Sequence, residues 1–340
     1  IGEVANLGAA ILIEDAERDA RVPRYQLDVL KIRSVLLIPL RFHQQVLGVM
    51  ALINRVDGRP FCEGDVNLLQ ALADQATVSV HFVKLREALA EKQRMDHDLN
   101  LARSIQSSLL PKTLPRIPGF EIAAFSNPAL EIGGDFYDVF QVDDDCVGLA
   151  VVDVSGKGVA GAIMTALCRS MLRAQARGMR SPMHVLREVN RLIAEDLAED
   201  MFVTMLYMVL NTKTRQLAVA RGGHERPLLF RPDIGEMTTI ESKGAALGMV
   251  SPDDFERLLT EVTITLEPGA LLVAYTDGIT EALNAQHEEW GIDRFCDSIR
   301  VTAPEGAHSV LNHIRQRLLR FVGDTPQYDD MTLLALRTLP

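Results

Sequence analysis

The sequence predicts an α+β chain in which a small N-terminal α/β domain and a larger strand-rich domain are joined by a helix. Three observations carry that reading. The chain has 340 residues, more than one ordinary core of roughly 100–200 residues uses. From residue 120 onward, short strand-like runs outnumber long helical stretches without alternating with them, which points to antiparallel sheets rather than βαβ units. Pro111, Pro115 and Pro118-Gly119 break a long helical rhythm, and such punctuation marks a boundary. The expected domains are residues 1–84, a helical linker over 85–110, and residues 111–340.

In chain order, residues 34–53 read as two buried strands joined by the polar turn Arg41 to Gln45. Glu63-Gly64-Asp65 stands at a helix start, and Leu68, Leu69, Leu72, Ala76, Val80 and Val83 repeat at the helical period. Val78, Phe82, Leu85, Leu89 and Lys92 then follow 4-3 spacing. After a three-residue slip, Met95, Leu99, Ala102, Gln106 and Leu109 resume it. That is either the seam of a dimeric coiled coil or one amphipathic helix lying on its own domain, since Lys92 and Gln106 are poor seam residues. Beyond the prolines, strands are expected near 121–125, 147–154, 202–210, 216–220, 262–266, 270–275 and 331–336, with helices over 159–177, 182–198 and 307–321.

Composition narrows the function. A net charge of −11 opposes a phosphate-backbone footprint, so nucleic acid is not an expected partner. Cys62, Cys146, Cys168 and Cys296 show no CxxC spacing, which disfavours a zinc knot and fits a reducing, cytoplasmic compartment. No apolar run reaches the ~18–20 residues of a membrane span, so no membrane segment is expected in this stretch. The chain starts at Ile1, which suggests a fragment of a longer protein.

The chemistry lies in aspartates at strand ends and turns. Asp135 sits in Gly133-Gly134-Asp135-Phe136-Tyr137-Asp138, Asp153 ends an apolar strand before Val154-Ser155-Gly156-Lys157-Gly158, Asp277 ends another before Gly278, and Asp329-Asp330 precede a third. A single such Asp is most often a turn or cap residue. Several on adjacent strands would repel one another unless cations joined them, and an oxygen-only donor set selects Mg²⁺ or Mn²⁺ over zinc or copper. Gly156 to Gly161 spells GxGxxG, but Arg180-Ser181-Pro182 stands where a dinucleotide fold needs its acidic residue. Gly133-Gly-Asp-Phe136 lacks the acidic-Phe pair of a diguanylate cyclase.

These blocks resemble a known family. Leu101-Ala-Arg-Ser-Ile-Gln-Ser-Ser-Leu-Leu-Pro111, Gly133 to Asp138, Val152 to Gly158, Gly222-Gly-His224, Thr276-Asp-Gly278 and Tyr328-Asp-Asp-Met-Thr332 resemble, in order, the motifs of RsbU/SpoIIE-type serine phosphatases, relatives of protein phosphatase 2C. The resemblance implies an α-β-β-α sandwich of two antiparallel sheets. It also implies two Mn²⁺ or Mg²⁺ ions held by Asp153 as bridge, the Val154 carbonyl, Asp135, Asp277 and Asp329, with Asp330 the alternative to Asp329. In that family a metal-bridging hydroxide attacks phosphoserine or phosphothreonine. The His that donates a proton in phosphatase 2C relatives is replaced by Ser155, which leaves the general acid unassigned. His224 is a weak candidate for substrate contact, a buried structural His being the commoner case.

Residues 1–85 resemble the C-terminal half of a GAF domain through Val35 to Leu40, Val46 to Met50 and Phe61 to Asp65, which implies a sensor that binds a small molecule or dimerises. The implied whole is a GAF-regulated phosphatase, homodimeric through the linker helix, acting on a phosphorylated anti-anti-sigma (STAS-type) protein. The rival expectations are a noncatalytic dimeric sensor or scaffold with the same fold and, less favoured, a nucleotide cyclase.

Overall fold

The computed structural model describes residues 1–22, 31–43, 45–109, 111, 113–130, 132–156, 158–194, 197 and 201–339. Its contacts divide it into two compact units, Ile1–Asp96 and His97–Pro340. The division falls inside one helix, within the segment expected as the linker.

The first unit opens with α1 (Gly2–Leu7) and carries a three-stranded antiparallel sheet of β1 (Ile11–Ile13), β2 (Val35–Phe42) and β3 (Gln45–Ile53) in that order. The expected hairpin is β2–β3; Gln44 of its turn lies outside the described residues. One set of apolar residues, Leu36, Ile38, Phe61 and Ala73, joins the sheet to the start of α2 (Glu63–Leu109). Val4, Ile13, Val35 and Leu37 form the other. In the first turn of α2, Asp65 accepts from the Cys62 backbone N–H at 2.9 Å and from Arg55 at 2.6 Å, an acid where the helix dipole favours one. The 47 residues of α2 run without a break, about 70 Å at 1.5 Å per residue. The three-residue slip in its apolar pattern therefore leaves no interruption in the helix. Val78, Phe82, Leu85 and Leu89 are 45–58% exposed, so this unit provides no cover for them.

The second unit is two stacked five-stranded antiparallel sheets with helices outside both. One sheet has the order β10-β9-β12-β13-β4 and the other β11-β8-β7-β6-β5. They are built from β4 (Phe120–Asn127), β5 (Phe136–Gln141), β6 (Cys146–Val154), β7 (Val203–Asn211), β8 (Gln216–Gly222), β9 (Leu228–Arg231), β10 (Glu236–Thr239), β11 (Glu261–Thr265), β12 (Leu271–Tyr275) and β13 (Met331–Thr338). Strand parity sorts the side chains. Leu149, Val151, Leu206 and Met208 face Leu272, Ala274, Leu334 and Leu336 between the sheets. Ala150, Val152, Met205 and Tyr207 pack outward under α3 (Val159–Ala176) and α4 (Pro182–Ile193), with Cys168, Leu172, Val185 and Val189. Val273, Leu333 and Ala335 pack outward under α7 (Gly291–Thr302) and α8 (Ala307–Val322), the helices that supply Phe295, Ile299, Val310 and Ile314. With both faces of each sheet covered, the central strands read as unbroken apolar runs. The α-β-β-α sandwich is the expected fold.

Helix α4 begins where Ser181 accepts from the His184 backbone N–H with Pro182 in the first turn. It ends at Ile193 rather than at the expected 198; residues 195, 196 and 198–200 lie outside the described residues. Elements the sequence reading passed over include β5, the short strands β9 and β10, α5 (Pro252–Leu258), the four-residue α6 (Asp277–Thr280), and α7.

Candidate metal centre

At one end of the sandwich the sheets open into a cleft of about 260 Å³ lined by Asp135, Asp153, Asp277, Asp329 and Asp330, together with Val154, Ser155, Phe202 and Thr204. All five aspartates picked out in the sequence come together there. Asp153 is the penultimate residue of β6, on the same parity as Leu149 and Val151, so its carboxylate continues the inter-sheet face at the point where the sheets part. Asp277 begins α6 directly after β12, and Asp329 precedes β13 in the opposite sheet.

Close backbone approach shapes the cleft. A methyl at Gly134 would stand 2.5 Å from the Val154 carbonyl oxygen, and one at Gly278 would stand 2.0 Å from that of Asp330. Only glycine fits either place. The loop before β5 is tied on three sides. Asp330 accepts from the backbone N–H groups of Ala129 (2.7 Å), Gly134 (2.6 Å) and Asp135 (3.2 Å), Thr165 of α3 donates to the Gly134 carbonyl at 2.9 Å, and Gln106 of α2 donates to the Gly133 carbonyl at 2.5 Å. Both Asp330 oxygens are thus engaged by the loop, which makes it a loop anchor, while Asp329 accepts from the Asp330 backbone N–H at 3.0 Å.

The electrostatics are those of an anionic pocket. Burial, then the Asp153 charge, hold the Asp135 carboxyl well above the usual carboxylate range. Burial and the Asp277 charge push Asp153 to about 6, and burial and the Asp329 charge raise Asp277. No Lys, Arg or His appears among the described residues that line the cleft; Lys157 lies outside the described residues. Among the described residues, no three Asp, Glu, His or Cys side chains stand close enough together to hold one ion without a side-chain adjustment. The donor chemistry nevertheless fits hard divalent cations. Every side-chain donor is an oxygen, and the Oδ2 atom of Asp135 is buried with no hydrogen-bond partner, an arrangement that a cation relieves.

Neighbouring residues have other duties. Asp138, in the same hexapeptide as Asp135, is fully buried and held by Arg169 (3.0 Å) and Arg173 (2.6 Å) of α3. Ser155 accepts from the Phe202 backbone N–H at 2.6 Å and pins the facing loop. His224, the candidate substrate contact, is 3% exposed and stands behind the cleft lining rather than in it. Its Nδ1 lies 2.7 Å from the Thr204 hydroxyl. The sequence reading missed Thr204, whose place opposite Asp153 is set by the register of β6 and β7. It also missed the bond of Gln106, for which a polar residue inside an apolar repeat was the available signal.

Comparison with known proteins bears on the same region. Residues 143–339 match the family described as Stage II sporulation protein E (SpoIIE). The chain belongs to the SpoIIE family. Residues 1–80 of this SpoIIE-family chain match the GAF domain. It is 29% identical to Protein IcfG of Synechocystis sp. over 267 residues, 70% of this chain and 41% of that protein. It is 28% identical to the phosphoserine phosphatase RsbU of Bacillus subtilis over 252 residues, 72% of this chain and 71% of that one. The SiaA-PP2C domain of Pseudomonas aeruginosa superposes with a TM-score of 0.64 at 26% identity, covering 73% of this chain and 98% of the domain.

Proposed function

We propose that the chain is a phosphoprotein phosphatase, hydrolysing phosphoserine or phosphothreonine at a Mn²⁺ or Mg²⁺ centre under the control of its GAF domain. The observation that carries this is the cleft itself. Five carboxylates from distant stretches of chain line one pocket, and a phosphate would be repelled from it unless cations came first. Asp135, Asp153, Asp277 and Asp329, with the Val154 carbonyl, are the groups that would hold two ions. When bound, such ions supply Lewis acidity that activates water and neutralises phosphate charge. The chain's own part is placement: Asp153 stands on one sheet, Asp277 and Asp329 adjoin the other, and Asp330 fixes the loop that carries Asp135. The Ser155 hydroxyl is engaged as an acceptor by the Phe202 N–H, and a hydroxyl is too weak an acid to replace a His proton donor, so Ser155 is not assigned as the general acid.

The similarity to the phosphoserine phosphatase RsbU supports a phosphorylated anti-anti-sigma (STAS-type) protein as substrate in a partner-switching pathway, and the exposed apolar residues of α2 support a homodimer. The GAF match over residues 1–80 supports a sensor that binds a small molecule or dimerises. Among the described residues no helix is long and apolar enough to cross a membrane. The test is release of phosphate from a phosphoserine protein, and from p-nitrophenyl phosphate, with and without Mn²⁺. Wild type is expected to be Mn²⁺-dependent, with Asp153→Asn and Asp277→Asn each losing at least about 100-fold in kcat, an electrostatic contribution of about 3 kcal/mol. Undiminished turnover in both variants would end the assignment of these aspartates to a metal centre, and wild type with no turnover in Mn²⁺ would return the chain to the noncatalytic scaffold reading.

A further inference from the structure

We propose that Ser155 is a positioning residue: its hydroxyl closes the end of the β6–β7 ladder in place of its own carbonyl, and so holds the Val154 carbonyl in its place at the metal cleft. The inference rests on the metal-centre reading above. Asp153 pairs with Thr204 and Val154 with Val203, where the ladder ends. The next pair in register is Ser155 with Phe202. Its first bond is regular, the Ser155 N–H donating to the Phe202 carbonyl at 3.0 Å. In a continuing antiparallel ladder the Phe202 N–H would return to the Ser155 carbonyl. It donates to the Ser155 hydroxyl instead, at 2.6 Å.

Substituting a side chain for a carbonyl lets the strand leave its sheet without losing its last link. Gly156 follows at once with φ +105°, a turn that the ladder would forbid and that glycine permits. The same clasp fixes the peptide plane between Val154 and Ser155. That peptide is trans, so its N–H and its carbonyl point opposite ways. With the N–H held towards Phe202, the Val154 oxygen points to the other side, where Gly134 stands close enough that a methyl on it would meet that oxygen at 2.5 Å. Val154, Gly134 and Phe202 all line the cleft. The partner side of the clasp is itself held. Val203 exchanges two backbone bonds with Leu247, at 3.0 and 2.8 Å, and the adjoining Gly248 N–H donates to the buried Asn190 side chain of α4 at 2.9 Å.

Mn²⁺ affinity by calorimetry, metal-free melting temperature, and p-nitrophenyl phosphate turnover across a Mn²⁺ titration are to be measured for the full chain and for Ser155→Ala, Ser155→Thr and Ser298→Ala. Ser155→Ala strands the Phe202 N–H and loosens the Val154 peptide, so Mn²⁺ binding is expected to weaken about 10-fold, with kcat largely restored once Mn²⁺ saturates. Ser155→Thr keeps the hydroxyl and should bind Mn²⁺ as wild type does. Ser298→Ala removes a fully buried hydroxyl from α7, outside the cleft lining, and should lower the melting temperature without touching Mn²⁺ affinity. Wild-type Mn²⁺ affinity in Ser155→Ala, a Thr variant as weak as the Ala variant, or an equal loss of affinity in Ser298→Ala overturns the proposal. A kcat that stays low at saturating Mn²⁺ would give Ser155 a part in the chemistry and overturns it too. If Ser155→Ala does not fold, Ser155→Cys carries the test, because a thiol is the weaker acceptor, and wild-type Mn²⁺ affinity in that variant overturns the proposal. Wild type that binds no Mn²⁺ overturns the metal-centre reading and this proposal together, whereas wild type that binds beside an unaffected Ser155→Ala overturns this proposal alone.

Discussion

Asp153 ends a strand in a place that opposes its ionisation: burial comes first, then the charge of Asp277. A carboxyl whose pKa is raised by folding holds its proton more tightly in the native state, so its contribution to stability is complete below the unfolded value near 3.9 and is lost as pH rises through about 6. Metal-free protein is therefore expected to become less stable between about pH 4 and 6. Asp153→Asn should raise the metal-free melting temperature at pH 7.5, by a free energy on the order of 1–3 kcal/mol, while abolishing the added stability that Mn²⁺ gives wild type. Differential scanning fluorimetry with EDTA and with Mn²⁺ checks both; a lower metal-free melting point in the variant would contradict the account. This strain was legible in the sequence, because an acid at the end of a buried apolar run is costly to desolvate unless a cation or a donor meets it. The contrast between Asp135 and Asp138 was not. They share a hexapeptide, and what separates an unpartnered buried carboxylate from a doubly paired one is Arg169 and Arg173, more than thirty residues downstream.

At the scale of elements, that ion pair fastens α3 to β5. Arg173 engages both oxygens of Asp138, at 2.6 and 2.8 Å, and also lies over the Phe140 ring at 5.0 Å. Removing the carboxylate strands a guanidinium whose side chain is only 14% exposed, that of Arg169. Asp138→Ala is expected to cost about 3 kcal/mol, read as a lower urea midpoint at an unchanged slope. A cost below about 0.5 kcal/mol would show that α3 is held by its apolar face alone. The long central strands and α3 were readable because burial on both faces made them continuous apolar runs. Strand β5 was not, since a glycine pair and two aspartates at its start look like a loop until Asp138 finds its arginines. Strands β9 and β10, four residues each between Pro227, Pro232 and Gly235, are too short to show a period. Helix α7 went unread although Phe295, Ile299 and Thr302 share a buried face, because Arg294, Asp297 and Arg300 between them make the stretch look like surface.

For the whole molecule, the Pro111-to-Gly119 punctuation was read as the start of the second domain, yet the compact unit begins earlier, at His97. The last turns of α2 belong with the sandwich, where Gln106 holds the Gly133 carbonyl next to the loop of Asp135. A bend or rotation of α2 would therefore reach that loop through one hydrogen bond. The half-exposed Val78, Phe82, Leu85 and Leu89 follow 4-3-4 spacing along α2, the pattern of a seam awaiting another helix. Sedimentation should give a dimer for wild type and a monomer for the Leu85→Asp, Leu99→Asp variant; equal masses would remove the seam. The two sheets of the sandwich have no strand in common, and the acids meet only where their layers diverge. A divalent ion seated there would act as a rivet between separate plates, so that loading the enzyme and fastening its open edge become a single event.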